Sequence, residues 1–189
     1  MIGYATIKAL PSTLTGAAAA SVTTVNKITN YNINVTINDA LSSSGVVKIV
    51  FPSTITPTLA TGCATLVGNN VVTSPTCQYD SLSKTITISN MNSSSSNIGA
   101  IQTLRFTILS VQNAPSVNPS DSFTVYTYYT PDVNDLVSQG TILGLTASLD
   151  IINPSQVSVV PSSYIVSDTV VSYNLNFVIG NSIPQSGYA

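Results

Sequence analysis

The sequence predicts an all-β chain, an immunoglobulin-like Greek-key β-sandwich in one complete module followed by the opening strands of a second. Three observations carry this expectation. Apolar residues alternate with Ser, Thr and Asn in short runs bounded by Pro, Gly, Asn and Ser, and helix-period patterns are almost absent. The runs recur at spacings suited to two packed sheets. One of them reappears late in the chain at a fixed offset.

The first strand is expected near Ala5 to Leu10. Tyr31, Ile33, Val35 and Ile37 then alternate with Asn32, Asn34, Thr36 and Asn38, so one face meets a core and the other meets water. Val47, Ile49 and Phe51 form the next strand, which Pro52 ends. Ile86 and Ile88 alternate with Thr85, Thr87 and Ser89, and Leu104, Phe106 and Ile108 with Arg105 and Thr107. Phe123, Val125 and Thr127 give the last strong strand. About seven strands of this kind make two sheets with Greek-key connections.

The repeat lies at an offset of 173 − 31 = 142 residues, which places Tyr31 to Ile37 over Tyr173 to Ile179. Without a gap it also carries Gly45 onto Gly187 and Ala5-Thr6-Ile7 onto Ala147-Ser148-Leu149. The expected organisation is therefore a module over 1–142 and the first strands of an incomplete module over 143–189, part of a tandem array. Two or three strands leave the face of Leu175, Phe177 and Ile179 uncovered, so strands of the same polypeptide or of a neighbouring chain are expected to cover it. The same match makes Met1 to Leu10 a module's own first strand. The alanine run from Ala17 to Ala20, broken upstream by Pro11 and Thr15, is not expected to be the core of a signal peptide.

Composition narrows the function. Charged residues are 6% of the 189, the seven acids are all aspartate, and histidine and tryptophan are absent, so the surface must be built from Ser, Thr and Asn. A net charge of −2, with Lys8, Lys27, Lys48, Lys84 and Arg105 scattered, offers no field for nucleic acid or an anionic membrane. Mean hydropathy is +0.35, yet no run of about 18 apolar residues exists to insert into a bilayer. Without histidine or glutamate there is no histidine-based triad and no evident acid/base pair; the expectation is a protein without enzymatic activity, cofactor or metal.

Cys63 and Cys77 flank a Gly68-Asn69-Asn70 turn and Pro75. A disulfide stapling this loop is favoured over two separate thiols, and closing a ring of about 15 residues would contribute on the order of 3 kcal/mol in the loop-entropy model. Asn34-Val35-Thr36 and Asn92-Ser93-Ser94 are N-glycosylation acceptors by sequence, and the serine clusters at 42–44 and 93–96 would suit O-linked sugars. Asp132-Val133-Asn134-Asp135 holds too few oxygens for calcium and reads as a turn. Tyr126, Tyr128 and Tyr129 would stack on a sugar or a partner domain, but tyrosine packing on a half-buried strand face is favoured.

The order of these features resembles a repeat of very large extracellular surface proteins of ciliates and other protists. It is carried by the Tyr31 strand, Gly45-Val46-Val47-Lys48-Ile49-Val50-Phe51-Pro52, the Cys63 and Cys77 excursion and Ile86-Thr87-Ile88. Leu104-Arg105-Phe106-Thr107-Ile108, Asn118-Pro119-Ser120 and Ser122-Phe123-Thr124-Val125-Tyr126-Thr127 follow, so the likeness spans about residues 28 to 130. It departs at Asn113-Ala114-Pro115, which precedes the Asn-Pro turn. The resemblance implies extracellular tandem sandwiches and carries over no binding residue.

The leading functional expectation is a structural repeat of an extracellular filament, surface coat or hair-like appendage. Its partners would be copies of itself or neighbouring modules, with covalent glycans, and no nucleic acid or membrane. The alternative from another class is an adhesin or lectin-like module that recognises glycans or a partner cell surface. That alternative requires a concave group of aromatics with Asp or Asn.

Overall fold

The computed structural model describes residues 10–58, 64–66, 75–91, 97–131, 135–150 and 154–180. In chain order the strands are β1 Ser12–Thr13, β2 Thr15–Ala20, β3 Ile28–Ile37, β4 Val46–Val50, β5 Thr56–Pro57, β6 Ala64–Leu66 and β7 Thr76–Asp80. They continue with β8 Thr85–Ser89, β9 Gln102–Gln112, β10 Phe123–Tyr128 and β11 Leu136–Ile142. A 3-10 turn at Pro154–Gln156 then leads into β12 Val157–Pro161 and β13 Tyr173–Phe177.

β1 to β11 form two sheets, one in the order β1-β11-β10-β4-β8-β7 and the other β2-β3-β9-β5, with β6 also paired to β9. The chain crosses between sheets after β1, β3, β4, β6, β8 and β9, so sheet neighbours are seldom sequence neighbours, as in a Greek key. The fold is the expected all-β sandwich. β1 lies parallel to β11, pairing Ser12 with Ser138 and Thr13 with Gln139, while the other named strand pairs are antiparallel.

Alternation decides which side chains meet between the sheets. Ile33, Val35 and Ile37 of β3 and Ile108 of β9 are fully buried against Val47 and Ile49 of β4, Ile86 and Ile88 of β8 and Val125 of β10. At one end the core turns aromatic: Phe51 and Phe123 meet edge-on with ring centroids 5.2 Å apart, and Tyr31 lies 6.4 Å from each. Such tilted pairs add to the area term because ring edges meet the negative faces.

Several strands were not foreseen. The alanine run is β2, whose Ala18 and Ala20 pack on the core. β11 turns Ser138 and Gly140 inward as well as Ile142, so its apolar signal is lost. Ser138 is tolerated in the interior because its hydroxyl shares a 2.8 Å hydrogen bond with that of Ser12. At Gly140 a Cβ would stand 2.4 Å from the Leu14 carbonyl oxygen, so only glycine lets the chains approach. Of the first strand expected near Ala5 to Leu10, residues 1–9 lie outside the described residues.

Among the described residues β12 and β13 pair only with each other, matching Val157 with Phe177, Val159 with Leu175 and Pro161 with Tyr173. β2 and β3 match Gly16 with Val35, Ala18 with Ile33 and Ala20 with Tyr31. With Tyr173 set on Tyr31, Pro161 stands for Ala20 at an offset of 161 − 20 = 141, so the turn of the later hairpin is one residue longer. The faces differ in cover. Val159, Tyr173 and Leu175 are 54%, 63% and 65% exposed, whereas Ile33 and Tyr31 are 0% and 1% exposed.

Candidate functional site

The outer face of the six-stranded sheet is the place where aromatic and charged side chains converge. Register builds two rungs across it. Gln139, Tyr126, Lys48, Thr87 and Gln78 align on β11, β10, β4, β8 and β7, and beside them run Thr141, Thr124, Val50, Thr85 and Asp80. Tyr128 follows Tyr126 on the same face, with ring centroids 6.5 Å apart. The Lys48 ammonium lies over the Tyr128 ring, 5.0 Å from its centroid, which is cation–π range. These groups surround a trough of about 250 Å³ floored by Lys48, Val50, Thr85 and Thr87, with Tyr126 and Tyr128 on one side and Asp80 and Ser83 on the other.

The rim is pre-set. Asp80 accepts a 2.6 Å hydrogen bond from the Ser83 hydroxyl at Oδ2 and one of 3.0 Å from the Leu82 amide at Oδ1. The Ser83 contact, with the amide helping, holds its carboxyl below the usual aspartate range, so it is ionised at neutral pH. Desolvation, and then the neighbouring Tyr126, push the Tyr128 phenol upward, so it stays a neutral donor.

The outer face of the five-stranded sheet carries Asn34, half-buried in mid-strand between Ala17 on β2 and Arg105 on β9. Around it Thr107 donates to Asn32 Oδ1 at 2.9 Å, and the Thr36 and Thr103 hydroxyls share 2.8 Å. Asn92 and Cys63 lie outside the described residues; Cys77 is half-buried on β7, packed against the core. Asp132, Val133 and Asn134 also lie outside them, while Asp135 accepts a 2.6 Å bond from the Thr130 hydroxyl, as in a turn. Tyr126 and Tyr128 face the trough rather than the core, and Tyr129 is 46% exposed.

A third feature sits where the chain leaves the sandwich. Asn113, 3% exposed, accepts a 2.6 Å bond from the Tyr31 hydroxyl and donates from Nδ2 to the Val22 and Thr24 carbonyls at 2.8 and 2.7 Å. The loop held in this way receives the departing strand: the Ser148 amide donates to Thr23 O and the Val25 amide to Ser148 O, both at 2.9 Å. Leu145 and Ala147 close over a groove of about 180 Å³ beside Ala18, Ala20 and Tyr31. The chain thus stays bound to the first sandwich through Ser148, beyond the end of β11.

Sequence reading reached Tyr126 and Tyr128 but missed Lys48, Asp80 and Asn113. Parity was the available signal for Lys48, which alternates with the buried Val47 and Ile49. Asn113 lies just ahead of the Asn118-Pro119 turn, in a stretch to which the sequence assigns neither strand nor facing.

At Gly144 a Cβ would stand 2.0 Å from Ser120 O and 2.6 Å from Asp121 O, backbone atoms that cannot swing aside. Gly144→Ala is therefore expected to cost about 2 kcal/mol. Hydrogen exchange would show it first at the amides of Leu145 and Ser148.

No protein-family model matches the sequence, and none of the curated proteins does. Among solved structures the chain is similar to the full-length major pilin SpaD from Corynebacterium diphtheriae, with a TM-score of 0.44 and 7% identity over 70% of this chain. It spans 34% of the pilin's length, about a third. It is also similar to the collagen-binding domain of a Staphylococcus aureus adhesin, with a TM-score of 0.38 and 10% identity over 72% of this chain and 99% of that one.

Proposed function

We propose that this chain is a structural repeat of an extracellular filament, coat or appendage, in which sandwiches follow one another at a set angle. The observation that supports it is the second hairpin. β12–β13 repeats the pairing of β2–β3 and turns Val157, Val159, Tyr173, Leu175 and Phe177 outward, the face that the first sandwich covers with its other sheet. Leaving such a face in water forgoes roughly 1.5 to 3 kcal/mol for each large side chain, so copies of the repeat are the occupants it fits. The clasp from Gly144 to Ser148 gives each module a defined exit.

Residues 1–189 are expected to self-associate at micromolar concentration, with the association hardly changed between about 0.05 and 0.5 M salt because few charges are involved. Paired changes Leu175→Asp and Phe177→Asp should abolish association while the first sandwich melts as before. Sedimentation that shows a monomer for the unmodified chain, or dissociation by salt, would sink the reading.

Within this reading Cys63 and Cys77 form one disulfide, and Asn34 and Asn92 carry glycans when the protein is secreted. Mass analysis of native peptides with and without reduction tests all three.

A further inference from the structure

We infer that the trough over β4 and β8 is a binding site for a neutral saccharide, one ring of which lies against Tyr126 and Tyr128. This goes beyond a structural role.

The strands beneath it dictate the kind of ligand. β10, β4 and β8 each have a neighbour on both sides, so their backbone donors and acceptors are taken and an added peptide strand has nothing to pair with. Recognition is left to side chains. They are the hydroxyls of Thr85, Thr87 and Ser83, the phenols of Tyr126 and Tyr128, one ammonium and one carboxylate. Of these groups only Val50 is aliphatic, so a greasy ligand finds little surface.

Charge excludes the next class. Lys48 and Asp80 balance, and the Lys48 ammonium is already engaged on the Tyr128 ring, so a polyanion meets no free cation here. A sugar ring satisfies the remaining demands. Its C–H face packs on phenol rings, and its hydroxyls both donate and accept, which suits the ionised Asp80 and the threonines. The trough is smaller than the roughly 300 Å³ at which pockets for drug-sized molecules begin, so it takes one ring of a chain that continues across the sheet.

Sequence spacing hid the site. Tyr126, Lys48 and Thr87 share a rung only through the antiparallel register of three strands from different parts of the chain.

The test uses residues 1–189 with mannotriose, maltotriose, cellotriose and chitotriose as probes, followed by saturation-transfer and amide NMR. At least one should bind with a dissociation constant on the order of 1 mM and shift the amides of Lys48, Thr87 and Tyr126. Tyr126→Ala should weaken it about tenfold, and Tyr126→Phe should keep most of it. The melting temperature of each variant shows that the sandwich is intact. Absence of binding by all four, binding untouched by Tyr126→Ala, or binding only of a sulfated oligosaccharide would overturn the inference. None of these outcomes depends on self-association, so the repeat reading stands or falls separately.

Discussion

Phe123→Ala is expected to lower the unfolding free energy by about 3–5 kcal/mol. Phe123 is fully buried and touches the rings of both Phe51 and Tyr31, one from its own side of the sandwich and one from the other sheet. Truncation removes the ring's transfer energy and leaves a cavity whose walls belong to two sheets that cannot close independently. Since a domain's whole stability is about 5–15 kcal/mol, the loss is a large fraction. A denaturant titration checks it: the midpoint should fall while the slope stays constant. A loss below about 1 kcal/mol would mean that the two sheets are not close-packed at this end.

Asn113→Ala is expected to cost about 3 kcal/mol, through orphaned groups rather than lost volume. The side chain satisfies the buried Tyr31 hydroxyl and two carbonyls of the loop that docks Ser148. Its removal should therefore both lower the melting temperature and raise hydrogen exchange at Val25 and Ser148, whereas Phe123→Ala should spare that junction. Tyr31→Phe isolates one bond and should cost about 1–2 kcal/mol.

The same pair predicts behaviour in alkali. Burial pushes the Tyr31 phenol up to about 12, from an ordinary value of 10.0. Below pH 10 it is protonated whether folded or not; between 10 and 12 the unfolded chain releases the proton and the folded one keeps it. Tyr31 therefore contributes stability that is present below pH 10 and lost as pH rises toward 12. Tyr79 and Tyr128 are shifted in the same direction, so the diagnostic is the shallower decline of Tyr31→Phe relative to the unmodified protein.

The strands legible in the sequence are those whose two faces differ sharply in chemistry. β3, β4, β8, β9 and β10 bury mostly Ile, Val, Leu, Phe or Tyr and, over most of their length, alternate these with outward Asn, Thr, Lys, Arg or Tyr, so parity reveals both strand and facing. β2 offers alanine on both faces and β11 buries serine and glycine, so neither has contrast to read. Their inward residues are small because backbones pass close by, as the Leu14 carbonyl does at Gly140. Such proximity is a property of the assembled sandwich.

For the trough, parity is a signal that Lys48 and Tyr126 face outward, but nothing local says that β4 lies beside β10. β7 was read as part of the cysteine loop, so Asp80 had no face at all. Asn113 shows the opposite failure: a polar residue after a strand gives no sign of being inside, whereas here it is buried because three partners satisfy it.

The parallel pairing of β1 with β11 has a mechanical consequence. Among the described residues the first and last strands of the sandwich lie side by side and run the same way, so once the Ser148 clasp on Thr23 and Val25 has yielded, tension applied through the two ends pulls them along their axes in opposite directions. The Ser12–Ser138 and Thr13–Gln139 contacts, with the Leu14 amide on Gln139 O, would then be loaded together rather than unzipped in turn. A module wired in this way resists stretching best along the direction in which a string of such modules would be pulled.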